Sequence, residues 1–276
     1  MGRRSRSAAP TAAAEDDSAA PCNAPQAPKN RLLAALSAPD YERLRPHLEP
    51  VRLTYRRVLY HAKKPIDFVY FIETGVGSLV NTMRNGSASE VGTIGNEGLV
   101  GLPVVLGDKQ APTSVYVQVP GIGLRLKASI FWQAMEESAS MRTSMLHYAH
   151  AFFNQVAQSA ACGAYHSLEQ RCCRWLLMTH DRMEDDEFLL TQEFLAMMLG
   201  VRRAGVTEAA GALQRAGLIR YRRGLITILD KDELKRRSCE CYAIAKSEFD
   251  RLLGGVEDRP AVFSPRRGSL SRESHV

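Results

Sequence analysis

The chain has 276 residues, 45% hydrophobic, 24% charged and 7% aromatic, a globular composition long enough for two domains. No apolar run approaches the ~18 residues a membrane-spanning helix needs. Six cysteines, at 22, 162, 172, 173, 239 and 241, are too sparse over this length for the disulfide framework of a small secreted scaffold. The net charge of +6 and a pI near 9.1 suit a polyanionic partner without demanding one.

Residues 1–29 are rich in Ala, Pro and Ser, lack periodicity and read as a disordered leader. Arg3-Arg4 has no apolar segment behind it, so a secretory signal is not expected. The Arg/Ser/Ala bias has the flavour of an organelle transit peptide, but the acidic run at Glu15 to Asp17 opposes it, and a cytoplasmic location is the expectation. In "NRLLAALSAPDYERLRPHLEPV", Leu32, Leu33 and Leu36 make one short helical face and Tyr41, Leu44 and Leu48 another, with Asp40 opening the second helix. Residues 51–127 have β texture: runs such as "FVYFIE" and "VGSLVNTM" alternate with Gly and Asn, and Asn85-Gly86 marks a tight hairpin. Val115, Val117 and Val119 share one face of a half-buried strand. Six to eight short strands at this spacing predict an antiparallel barrel or roll, rather than a parallel sheet, over 30–128.

Between Ser129 and Gly163 there is neither Pro nor Gly. Met141, Met145, Tyr148, Phe152 and Val156 recur at three- to four-residue intervals, which predicts one long helix over 129–162. Such a stripe fits a buried core helix or a two-stranded dimer seam, and its continuity favours the seam. "SLEQRCCRWLLMTHDRM" then supplies an amphipathic helix with Leu168, Cys172, Trp175 and Leu176 inward, followed by an acidic loop, "EDDE".

The most informative stretch follows. Thr191 is a good N-cap, with Glu193 in the first turn, where the helix dipole favours a carboxylate. Phe194, Leu195, Met198 and Leu199 form an inner face, Gly200 breaks the helix and Val201 plugs the corner. A second helix places Val206, Ala210 and Leu213 inward, and Gly217 ends it. "IRYRRGLITIL" reads as strand, Gly-containing turn, strand. Helix, Gly turn, helix and hairpin describe a winged helix-turn-helix over 163–235, leaving a C-terminal helix and disordered tail over 236–276. An α-helix reads a major groove when its outer face is slender and rich in donors. Arg202 and Arg203 at the start of the second helix, with Thr207, Glu208 and Gln214 on the same outer side, meet that requirement. Gln192 lies where phosphate contacts form, and Arg222 and Arg223 lie in the hairpin turn.

On these residues the chain resembles the Crp/Fnr family of bacterial transcription regulators over roughly residues 30 to 235, most closely at "LTQEFLAMMLGVRRAGVTEAAGALQRAGLI". The resemblance implies an α+β fold: a cyclic-nucleotide-binding-like antiparallel β-roll of the jelly-roll type, a long dimerisation helix and a winged helix-turn-helix. It implies a homodimer on operator or promoter double-stranded DNA, with RNA polymerase as a further partner. Arg203 matches the family's leading base-contacting arginine, and Thr191 and Gln192 match its phosphate-contacting start. Ala204 stands where the family often has Glu, and Glu208 where it often has Arg, so the operator should differ; a Glu accepts from cytosine N4.

Members that bind cyclic nucleotides carry a Gly-Glu pair and then an Arg-Ser/Thr at the phosphate. Here Glu97 and Gly98 come in the reverse order, and Ala111-Pro112 stand near the arginine's place. Lys109 offers charge without a bidentate fork, Pro112 removes an amide donor, and Thr113 and Ser114 complete the candidate effector set. A degenerate pocket, or one for another small ligand, is the expectation. The family's iron-sulfur sensors use an N-terminal cysteine cluster, where this chain has Cys22 alone. Cys162, Cys172 and Cys173 read as small core residues. Cys239-Glu240-Cys241 looks like a soft-metal or redox pair, but two ligands do not close a site, and nothing fixes the geometry of His147, His150 or His166. No cofactor or metal is therefore expected. No nucleophile-base-orienter set or P-loop points to an enzyme. The competing reading is a ligand-sensing module that docks on a protein partner through its basic hairpin.

Overall fold

The computed structural model describes residues 27–254. The expected leader lies mostly outside them, as do Cys22 and the tail beyond Gly254. Lys29, assigned to the leader, donates its backbone N–H to Glu73 Oε1 at 3.1 Å. Helices α1 (Arg31–Ala34) and α2 (Ala38–Leu44) follow. The residue that opens α2 is Ser37, whose Oγ accepts from the Asp40 amide; Asp40 sits inside the first turn, not at the cap.

The roll is a six-stranded antiparallel sheet of β1 (Glu49–Leu53), β2 (Val58–Tyr60), β3 (Phe68–Thr82), β4 (Ala88–Ile94), β5 (Leu99–Val100) and β6 (Ser114–Lys127), with a short helix α3 (Leu102–Val105) after β5. β6 lies between β1 and β3, and β4 extends the other side of β3. The expectation of uniformly short strands fails for β3 and β6, which run 15 and 14 residues. Register shifts between Ile72 and Gly77 let these long strands bend around the core. Val115, Val117 and Val119 all face inward, as their alternation requires.

The expected single helix is two, α4 (Ala128–Glu137) and α5 (Ala139–Tyr165), because Ser138 adopts an extended backbone and caps α5 by accepting from the Met141 amide. The larger correction concerns the seam. Met141, Met145, Tyr148 and Phe152 are buried against the roll of their own chain, and Val156 is half-buried beside them. The Tyr148 hydroxyl donates to the Leu99 carbonyl at 2.8 Å. This stripe is core: its large side chains fill the roll. The opposite face of α5 carries exposed Leu146, His150, Phe153, Ala157, Ala160 and Ala164, spaced alternately four and three.

After α6 (Leu168–His180), whose Ser167 and Gln170 form a capping box, the three-stranded second sheet comprises β7 (Glu187–Leu189), β8 (Ile219–Arg222) and β9 (Leu225–Ile228) in the order β7-β9-β8. The end of "EDDE" therefore begins a strand. Helices α7 (Gln192–Leu199) and α8 (Arg203–Arg215) stand between β7 and β8. Then α9 (Lys231–Arg237) packs on α6 and α10 (Cys241–Leu253) returns along α5.

α7 also packs on β4, bringing the winged domain against the roll. Between β4, α5, α6 and α7 lies a cavity of about 330 Å³, lined by Glu90, Gln155, Arg171, Arg174, Trp175 and Met198 among others. Ser78 Oγ and Trp175 Nε1 donate to the Glu90 carboxylate at 2.5 and 3.2 Å. Removal from bulk water outweighs these bonds and raises the Glu90 pKa from 4.5 to about 7. The folded state thus prefers the neutral acid: this contribution to stability is complete below pH 4.5, fades as pH rises and is gone above about 7. Glu90→Gln should flatten that loss, so its melting temperature relative to the parent chain should be higher at pH 8 than at pH 5. An identical pH dependence for the two proteins would contradict it.

Candidate nucleic-acid interface

The interface is assembled from local signals. Thr191 Oγ1 accepts from the Phe194 amide at 3.2 Å and starts α7. Gly200 stops it in a left-handed conformation (φ 63°), with the Val201 amide reaching back to the Ala196 carbonyl at 3.0 Å. The chain then turns directly into α8, whose buried Val206, Ala209, Ala210 and Leu213 seat it on the domain core. Arg202, Arg203, Ala204, Thr207, Glu208 and Gln214 are all exposed.

Gln192 reaches across to the second helix. Its Oε1 accepts from Thr207 Oγ1 at 3.1 Å and, more weakly, from Arg203 Nε at 3.4 Å. A residue of the first helix therefore holds two outer-face residues of the second. Among the described residues the Arg203 Nη nitrogens have no partner, so the end of the fork stays available for a base edge. Gln214 behaves differently from expectation: its Oε1 accepts from the Tyr221 amide at 2.7 Å and pins β8 to the end of α8. The Tyr221 hydroxyl in turn donates to the Leu190 carbonyl. Helix and wing are thereby one rigid unit, a link the sequence pattern does not disclose.

The wing turns on Arg223 and Gly224, both at positive φ (52° and 81°), as a two-residue type I′ hairpin requires. Arg222 and Arg223 are exposed there, with Arg220 on the same strand. Contacts from the roll were not foreseen either. The Tyr55 ring lies 6.0 Å from that of Phe194, and Arg56 stands 3.8 Å from Glu193. These residues of the β1–β2 turn reach the N-terminal end of α7, across a sequence separation no periodicity spans.

The candidate effector residues each have partners of their own. Glu97 is buried, and Arg182 holds it through two bonds, Nη2 to Oε1 at 2.5 Å and Nε to Oε2 at 3.1 Å. Arg182 also donates to Thr93 Oγ1 at 2.6 Å and, at 3.4 Å, to Gln155 Oε1. Gly98 lies against the Tyr148 ring. Lys109 is exposed on the far loop, its carbonyl accepting from the Ile66 amide; Ser114 Oγ accepts from the Ala62 amide, with half-buried Thr113 beside it. A carboxylate already bound to a guanidinium is a poor site for a further hydroxyl or phosphate.

A β-roll joined through a long helix to a winged helix-turn-helix is the architecture of a regulator with a DNA-binding domain. Residues 50–138 match the model of a cyclic nucleotide-binding domain and residues 170–237 that of a Crp-like helix-turn-helix domain, together more than half of the chain. The chain belongs to the Crp/Fnr family of transcriptional regulators. Similar folds include FixK2 from Bradyrhizobium japonicum (TM-score 0.60, 13% identity, covering 70% of this chain and 98% of that one). A protein described as a Crp/Fnr-family transcriptional regulator from Eubacterium rectale is also similar (TM-score 0.58, 18% identity, 73% and 94%). So is the c-di-GMP-responsive global regulator CLP of Xanthomonas campestris (TM-score 0.54, 16% identity, 70% and 100%). None of the curated proteins matches the chain by sequence. Among the described residues no helix is long and apolar enough to cross a membrane.

Removing Arg182 should be costly, since it strands a buried carboxylate and empties the junction of roll, α5 and α6. Arg182→Ala is expected to destabilise the chain by about 3–5 kcal/mol, read from urea unfolding at pH 7. A loss below about 1 kcal/mol, the range of an exposed pair, would refute this role.

Proposed function

We propose that the chain acts as a homodimeric, sequence-specific DNA-binding regulator of transcription in the cytoplasm, with two α8 helices in successive major grooves and the wings on the flanking phosphates. The observation that carries this reading is the bracing of Arg203 and Thr207 by Gln192 on an otherwise open helix face. Thr191, Arg202, Arg222 and Arg223 supply phosphate contacts, and Glu208 reads a base that an arginine would not. Dimerisation is supported by the outward stripe of α5, where Leu146 and Phe153 are 48% and 67% exposed in a heptad otherwise made of His150 and small alanines. Two copies joined along it would present their α8 helices about one DNA turn (~34 Å) apart. The occupied Glu97, Pro112 and the outlying Lys109 favour a signal other than a cyclic nucleotide.

Selection of duplexes from a random pool by the full-length dimer should yield a two-fold symmetric site. Arg203→Ala should weaken binding to that site by about 1–3 kcal/mol and relax preference at one base pair per half-site. Recovery of no consensus sinks the proposal. If Arg202→Ala/Arg203→Ala instead leaves regulation in cells intact, docking on a protein partner becomes the better account.

Phe153→Glu should convert the dimer to a folded monomer, because a carboxylate in a tight helix seam lacks a partner while the roll-facing side is untouched. Light scattering after size exclusion gives the mass and circular dichroism the fold. A dimer of unchanged mass would place the seam elsewhere.

A further inference from the structure

Three of the cysteines that read as core residues or an incomplete pair converge. Cys162 lies in the last turn of α5, and His166, four residues on, is the residue that ends it. Cys239 lies in the turn between α9 and α10, and Cys241, beyond Glu240, is the first residue of α10. The fold brings these two segments, over 70 residues apart in sequence, to a common point. Cys162, Cys239 and Cys241 are 0%, 3% and 0% exposed and form a cluster separate from both apolar cores. Cys162 Sγ lies 3.5 Å from Cys239 Sγ, and Cys241 Sγ lies 3.5 Å from His166 Nδ1. The three sulfurs and one imidazole nitrogen all fall within 4.8 Å of one another.

We propose that Cys162, His166, Cys239 and Cys241 form a Cys₃His site for a single zinc ion that fastens the end of the long helix to the segment joining the winged domain to α10. Zinc bonds of ~2.3 Å to sulfur and ~2.0–2.1 Å to nitrogen set the edges of a tetrahedron at about 3.8 Å between sulfurs and 3.5 Å from sulfur to nitrogen. Two of the six edges already stand near those lengths, and the widest must close by about 1 Å. Four protein ligands leave no open position, which marks a structural rather than a catalytic ion.

The surroundings match what such ions need beyond their ligands. His166 turns Nδ1 toward Cys241 and places Nε2 3.2 Å from Glu240 Oε2, the carboxylate–imidazole–metal arrangement that fixes the ring and its tautomer. Gln158 Nε2 donates to Cys241 Sγ at 3.1 Å, a bond that a thiolate accepts more strongly than a thiol. Without an ion these four groups would be an odd filling for an interior: a polar ring and three thiols gathered where aliphatic side chains would pack as densely. Cys172 and Cys173 are buried in the winged-domain core, where among the described residues they belong to no group of potential metal ligands, and behave as ordinary packing residues.

The full chain, produced with zinc in the medium and purified under reducing, anaerobic conditions, should retain about one zinc per chain by elemental analysis. Exchange with cobalt(II) should give the thiolate-to-metal charge-transfer band and the intense visible bands of a tetrahedral site. Cys162→Ser, Cys239→Ser and Cys241→Ser should each reduce zinc to background, whereas Cys172→Ser and Cys173→Ser should keep it. His166→Cys, which preserves four ligands, should keep it as well and guards against loss through misfolding. A chelator should lower the melting temperature of the parent chain and leave that of Cys241→Ser unchanged. The proposal is overturned if the parent chain holds no zinc, if its cobalt form is octahedral, if iron with sulfide is recovered instead, or if Cys162 and Cys239 are found as a disulfide under these conditions.

Discussion

The architecture hangs on one guanidinium. Arg182, in the loop after α6, enters the interior at the point where roll, long helix and winged domain meet, and is 6% exposed. Burying a charge there is expensive unless every donor finds an acceptor. Glu97, Thr93 and Gln155 supply them from the roll and from α5. Space has to be cleared too: a side chain on Gly95 would lie 2.3 Å from the Arg182 stem, so the roll presents bare backbone at that spot. Because the acceptors come from different elements, the relative placement of the domains is specified by directional bonds rather than by apolar contact alone. Cost and specificity are two sides of the same choice. An aliphatic residue would be easier to bury but would tolerate many docking angles.

The same junction shows why the role of Glu97 is hard to judge from sequence. Glu97 stands beside Gly98 in a stretch that looks like a ligand loop, and nothing local says that its carboxylate is already engaged by an arginine 85 residues later. The winged domain was legible because its signals are local: the Thr191 cap, the left-handed Gly200, the 206/210/213 spacing and a two-residue turn each act within a few residues. The helical character of 129–162 was legible, but neither the break at Ser138 nor the facing of α5 was. Periodicity finds the stripe with the largest side chains, and Met141, Met145, Tyr148 and Phe152 are large because they fill the roll. The outer stripe is weaker in hydrophobicity, mostly alanines around Leu146 and Phe153, so pattern alone ranks it second. The cysteines were illegible for the opposite reason: each pair is ordinary, and only tertiary proximity makes them a set.

Gln192 and Gln214 carry a related lesson. One reads as a phosphate contact and the other as part of the outer face, yet the first spends its oxygen on Arg203 and Thr207 and the second on the wing amide. Such bonds limit the rotamers that the arginine and threonine would otherwise sample, and so lower the ordering cost that any partner must meet. A polar side chain on a recognition helix is not automatically a contact; some of them hold the contacts still.

The two-faced helix α5 has a mechanical corollary. At 27 residues it is a rod about 40 Å long, gripped by the roll along its inner face, flanked by α10 and open along the stripe of Leu146, Phe153 and the alanines. Stiff rods amplify angle into distance: tilting this one by about 5° about one end carries the other about 3.5 Å, close to the rise of one base pair. A repacking too slight to alter the shape of the roll would therefore be felt as a shift of a whole step along a duplex. The direct contacts of α7 with β4 and of Arg56 with Glu193 run in parallel with this beam.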